Sequence, residues 1–306
     1  MDFQICIAMD LTKDFIKSKR PCADGFRWFL RHHQDGSNYQ PLLDALVAHE
    51  RVNDALWLLE KFGPTDEILH VDQMETDAIV FAGTLDVHGS INADSIVRAG
   101  RSIRAGGGIR AGTLVEAGEN IRAGGPIWCD GAVKAGEDIR AGWGITARGR
   151  IVCGGLLRAA WDLFCEGDLQ ASEYMNIGGD MLVNGAIHCE KGMKIGGHLT
   201  GLGDVKSANG IETGADLRCH GHLHADWGIR SGGCIVAAGA ISAGESLQAG
   251  GEIRAGQGYG IYAGLGVRRD AWEASAQVMA RCKPDNLMSG WWAADACTAG
   301  PSGGLR

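Results

Sequence analysis

Residues 103–141 read IRAGGGIRAGTLVEAGENIRAGGPIWCDGAVKAGEDIRA, and this stretch decides the fold. An aliphatic residue returns every six positions, at Ile103, Ile109, Val115, Ile121, Ile127, Val133 and Ile139. Two places after each stands a small one: Ala105, Ala111, Ala117, Ala123, Cys129, Ala135 and Ala141. That spacing puts both side chains on one face of a short strand and the residue between them on the other. A period of six is foreign to a helix, whose period is 3.6. The Gly that often follows the small residue marks a bend, where positive φ or close backbone approach excludes a Cβ. One hexad is therefore a short strand plus a corner.

Working outward, steps of six from Ile79 to Ile253 meet an aliphatic residue or Met at all 30 positions, without an insertion. The array explains why 306 residues carry 48 Gly but only 6 Pro while 45% are hydrophobic, a balance that excludes collagen and a disordered linker. A hexad buries nothing alone, so successive hexads must coil and stack into a parallel β-helix with a narrow apolar interior. Three strands per turn give about 18 residues per coil, about ten coils, and a rod of roughly 50 Å at the ~4.8 Å strand spacing. The small residue follows the aliphatic one instead of preceding it, which favours a right-handed solenoid. The expected fold class is thus mainly β, a parallel β-helix between helical caps.

The flanks lack the hexad. Residues 1–78 read as a helical N-terminal cap, with PLLDALVAHERVNDALWLLEKFG carrying Leu42, Leu43, Leu46, Val47, Ala55, Leu56, Leu58 and Leu59 at helical spacing between Pro41 and Gly63. Such a cap covers strand edges that would otherwise pair with another chain. The β-helix domain is expected over 79–267. In 268–306, a short helix beginning near Asp270 and the pair Trp291 and Trp292 are expected at the other end, followed by a disordered tail.

The chain has 29 basic and 37 acidic residues, a net charge of −8, which argues against nucleic acid as the direct partner. The acidic excess is densest in residues 1–78, with 8 basic and 14 acidic side chains, on either a contact surface or a solvated helical face. Ten Cys are too sparse for a disulfide scaffold, and MDFQICIAMDLTKDF, broken by Asp and with no uninterrupted apolar core, does not read as a signal peptide. No run approaches 18 apolar residues, so no membrane span is expected and the address reads as cytoplasmic. Cys129, Cys153, Cys165, Cys189 and Cys219 hold the small inward position and read as Ala substitutes. His220, His222 and His224 straddle a corner with no carboxylate or Cys spaced to complete a site, so no metal is expected. No G-x-S-x-G, phosphate loop or HExxH appears, hence neither cofactor nor catalysis is expected.

Arranged by coil, Arg104, Arg122, Arg140 and Arg158 form an outward ladder, continued after Asn176 by Lys194. Like charges at strand spacing repel, so counter-charges should lie nearby. Glu119, Glu137 and Glu173 fall in one corner column, Asp162 and Asp180 in another with Asp216, and Trp143 and Trp161 stack at one corner. A second outward column holds Trp128, Phe164 and Leu182 between Arg110 and Arg218. This apolar strip faces either a partner or the chain's own terminal segments.

The run FRWFLRHHQDGSNYQPLLDALVAHERVNDALWLLEKFGPT, the I-x-A-G hexads and the closing YGIYAGLGV, AWEASAQVMARC and SGWWA together resemble bacterial proteins encoded beside polymorphic toxin genes. These are immunity proteins of type VI secretion nuclease toxins. The resemblance implies an antitoxin that inhibits a cognate nuclease in bacterial competition. Its partner would be a basic nuclease domain, met by Glu119, Glu137, Glu173, Asp162 and Asp180, with Trp128, Trp143, Trp161 and Phe164 as apolar anchors. The hexads are also similar to bactofilins, which implies the alternative of a polymer-forming scaffold; the helical cap and Trp-rich end depart from that pattern.

Overall fold

The computed structural model describes residues 10–33, 36–267 and 271–293. It is a parallel β-solenoid with N-terminal helices, and its regular part follows the hexads strand for strand. Ile103–Ala105, Ile109–Ala111 and Leu114–Ala117 are three strands of one coil. Each pairs in parallel with its counterpart in the next coil, so that Ile103 faces Ile121, Ile109 faces Ile127 and Val115 faces Val133. Three stacks result: face 1 through Ile103–Ala105, face 2 through Ile109–Ala111 and face 3 through Leu114–Ala117. Face 1 is 13 strands deep, so the stack is roughly 60 Å long at ~4.8 Å per step. There are thus about 12 coils instead of ten.

Within each strand the outer two residues are buried and the middle one faces outward. The interior is a single column of aliphatic side chains from Leu85 to Ile261, with Ala or Cys filling the narrow positions. In three strands whose narrow position takes a larger residue, Ile177, Val183 and Ile195, the strand partner is Met175, Met181 or Met193. An unbranched thioether bends around the added volume. The inward Cys do more than replace Ala. Cys153 and Cys189 donate S–H to the carbonyls of Glu137 and Glu173 at 3.1 and 3.0 Å, while the Ser207 hydroxyl donates to that of Lys191 at 2.6 Å. Burial pushes the Cys153 and Cys165 thiols up from the ordinary 9.0 to about 11.

Strand pairing begins before Ile79, inside the region read as a helical cap. Ile68–Val71 pairs with Thr84–Val87, Leu69 facing Leu85 across a step shorter than three hexads. Met74–Phe81 pairs with Ile91–Ala99 through a register shift between Thr76 and Ala78. The helices are α1 (Lys13–Ser18), α2 (Ala23–His32), α3 (Tyr39–Ala48) and α4 (Val52–Phe62). The segment from Pro41 to Gly63 is thus two helices, broken where Glu50 takes a φ of +59°. Leu42, Leu43, Leu46, Leu58 and Leu59 pack with Phe29 and close over Val80 and Ala82 of the first coil.

Gln40 makes the cap specific. Its Nε2 donates to the Val80 carbonyl at 3.0 Å and its Oε1 accepts the Ala82 N–H at 2.8 Å. The Phe81 carbonyl points the other way, accepting from Gly100 in the next coil at 2.8 Å. One side-chain amide therefore stands where a strand residue would pair with the free edge. At the far end α5 is only Trp272–Ser275, and the chain keeps coiling irregularly: Gln277–Met279 pairs over Leu247–Ala249, and Trp291–Trp292 over Gln277–Met279. A strand stack, more than a helix, forms this end. The expected start near Asp270 and the tail lie outside the described residues.

Candidate functional site

The middle residue of each face 2 strand points outward, so hexad phase alone sets the column Arg110, Trp128, Thr146, Phe164, Leu182. The Arg110 guanidinium lies 4.2 Å from the Trp128 ring centroid, a cation–π contact. Trp143 and Trp161 occupy the neighbouring corner, between faces 1 and 2, on consecutive coils. The Trp161 N–H donates to the Trp143 carbonyl at 3.4 Å, but the indoles do not pair ring on ring. They are 63% and 68% exposed, against glycines at the same corner position one coil to either side, Gly125 and Gly179. The indoles therefore stand proud of a bare edge. With Trp128, Phe164 and the exposed Leu182 they form one apolar surface spanning about four coils. Helices α1–α4 pack on Val80 and Ala82, away from it.

The acidic residues fare differently. Asp162 Oδ1 accepts the Asp180 N–H at 2.8 Å, and Asp180 Oδ1 accepts the His198 N–H at 2.7 Å. The series continues with His198 to Asp216 and Asp216 to Cys234, at 3.2 and 2.8 Å. Each side chain satisfies a corner N–H of the next coil, a structural duty that sequence columns did not reveal. The Cys234 N–H and the Arg218 guanidinium hold the Asp216 carboxyl below the usual range.

Glu119, Glu137 and Glu173 line the corner between faces 3 and 1, so the structure does not bring them to the aromatic surface; face 1 lies between. Glu119 pairs with Arg101 at 2.9 Å and accepts from Ser102 at 3.1 Å, Glu137 accepts from Asn120 Nδ2 at 2.7 Å, and Glu173 pairs with Lys191 at 2.6 Å. The nine residues expected at the site thus form two groups.

His220 and His222 sit at one corner and His224 on face 3. His222 Nδ1 accepts the Ala240 N–H at 3.1 Å, while His224 contacts Ser242 and Asp226, both at 2.7 Å. Among the described residues no three His, Cys, Asp or Glu are placed to hold a metal ion, and no helix is long and apolar enough to cross a membrane. Two concavities were not legible in the repeat. One is a cleft of about 550 Å³ between Tyr174 and Trp227, over Gly192 and Gly210. The other is a cavity of about 400 Å³ among the helices, lined by Phe26, Trp28 and Trp57.

Fold and surface together define a parallel β-solenoid carrying an N-terminal helical domain and an exposed aromatic corner. Residues 9–62 match the family model of the YdhT N-terminal domain, a match that covers helices α1–α4 and none of the strand stack. No curated protein and no solved structure matches the chain.

Proposed function

We propose that this chain is a non-catalytic binding protein of the cytoplasm, an immunity protein that holds and inhibits a secreted nuclease toxin and so protects the cell that makes it or its kin. One observation carries the binding part: four large aromatic side chains, Trp128, Trp143, Trp161 and Phe164, share one outward surface on a rigid stack. Aromatic anchors of this kind supply most of the energy of protein interfaces. A preformed surface also binds with little ordering cost. The nuclease as partner rests on the whole-chain sequence pattern and on the net charge of −8, which suits a basic protein. Polymerisation, the alternative, needs an open first edge, and Gln40 with α3 stands on the face 3 part of that edge, at Val80 and Ala82.

The test is co-expression with the product of the neighbouring gene, where the proposal places the nuclease. Wild type should protect the host and co-purify with the toxin. W143A/W161A should weaken the complex by about 100-fold with an unchanged circular dichroism spectrum, as expected for loss of two hot-spot side chains. A wild-type protein that neither protects nor binds sinks the proposal.

A further inference from the structure

Face 1 carries Arg104, Arg122, Arg140 and Arg158 in register, each paired directly with the next and all exposed. On face 3 the charges alternate instead: the column reads Arg98, Glu116, Lys134, and Glu116 lies 3.5 Å from both cations. At the corner between faces 3 and 1, Arg101 meets Glu119 and Glu173 meets Lys191, each pair one coil apart. On the 2–3 corner Arg148 meets Asp130 at 3.1 Å. The fold therefore pairs opposite charges along its columns readily, and the row of cations on face 1 is a departure. Of its four arginines only Arg140 meets a carboxylate among the described residues, Asp138 at 2.8 Å. A single-file row of cations about 4.8 Å apart repels itself, and nothing in the fold requires it.

We infer that this ladder is a docking strip for the carboxylate-bearing surface of a protein partner, continuous with the aromatic corner. The two features adjoin in sequence and space: Arg140 and Arg158 each stand three positions before an exposed tryptophan, Trp143 and Trp161. Charge complementarity assigns the partner's chemistry. The strip is one residue wide, with Glu119 beside Arg122 and Glu137 beside Arg140 on one side and Asp162 beside Arg158 on the other. Those flanks repel the broad, uniformly negative backbone of a nucleic acid, while they suit a protein surface with a central acidic row and basic margins. The inference rests on the binding-protein proposal and sharpens it: the partner's basic groups meet the corners, and its acidic row meets face 1.

The probe is a fluorescein-labelled oligoglutamate peptide, titrated by fluorescence anisotropy into the full-length protein at low salt, beside a single-stranded DNA oligonucleotide of equal charge. The peptide should bind wild type, and added salt should release it. R122Q/R140Q/R158Q should lose at least about tenfold in affinity. R150Q/R254Q, which removes exposed arginines off this face, should bind as wild type does. The thermal midpoint of the triple variant should be unchanged or higher. No peptide binding, equal binding by the triple variant, Arg-dependent DNA binding as tight as peptide binding, or a lowered midpoint would each overturn the inference. Toxin capture that depends on Trp143 and Trp161 but not on these arginines would leave the functional proposal standing and remove only the ladder.

Discussion

At the scale of single residues, the corner glycines serve a different need from the one their sequence positions suggest. Positive φ is the usual reason for Gly at a bend. Among the described residues the positive-φ glycines are Gly36, Gly63, Gly258, Gly264 and Gly290, and none lies in the regular hexads. What excludes a Cβ inside the array is the coil beneath. A Cβ on Gly197 would overlap Asp180 Oδ1, and the same holds for Gly179 over Asp162 and Gly233 over Asp216. An Asp that caps the next coil's corner thus goes with a Gly one position short of a full coil later. Asn120 departs from this: Glu137 stands where the Gly would be, and the cap is a longer 3.3 Å. The pairing predicts a coupled substitution. Gly197→Ala should cost about 1–3 kcal/mol by overpacking. Asp180→Ala should cost about 1–2 kcal/mol, by leaving the His198 N–H without its acceptor. The double variant should cost at least about 1 kcal/mol less than the sum, because removing Asp180 also removes the overlap. Urea unfolding of the four proteins measures the coupling; strict additivity would mean that the Gly179 backbone, at 3.1 Å, is the real obstacle.

At the scale of elements, what was legible was whatever repeats. Thirty hexads specify strands, faces and columns, and the Arg ladder and aromatic strip fall where steps of three hexads place them. The pairs Arg101 with Glu119 and Lys191 with Glu173 obey the same step and were equally readable. The first coil escaped because it is short: Leu69 already faces Leu85, before three hexads have passed, and this breaks the period. Beyond Ile253 insertions do the same, with Ile241 pairing Ile261 and then Leu287 following after a loop. The Gln40 clamp left no signal at all, since one amide substituting for a strand has no periodicity. Its role is measurable. Gln40→Ala leaves the Val80 carbonyl and Ala82 N–H without that partner and should lower stability by about 1–3 kcal/mol. In hydrogen exchange the loss should appear first at Ala82. Exchange there at the wild-type rate would show that α3 packing alone seals the edge.

At the scale of the whole molecule, each coil touches only its neighbours, so stability is a sum of coil and interface contributions in place of one cooperative core. The regular coils from Ile103 to Ala249 hold strands paired on both sides along each face. From Ile253 on, several strands shrink to two residues, as in Ile253–Arg254 and Ile261–Tyr262, and registers slip. Fewer ladder bonds per coil mean easier local opening. Native-state hydrogen exchange should therefore be slowest at Ile139–Ala141 and Leu157–Ala159 and faster towards Ile261 and Val278. Placing a cavity tests the linear logic directly. Leu157→Ala, at a fully buried position, should cost about 2–5 kcal/mol. That cost should fall on the coils that stack against Leu157, carrying Ile139 and Met175, and fade towards Leu85 and Leu247. A uniform loss of protection along the chain would instead mark one cooperative unit, in which the aromatic corner and the arginine ladder could not be altered without disturbing the helical domain on the first coil.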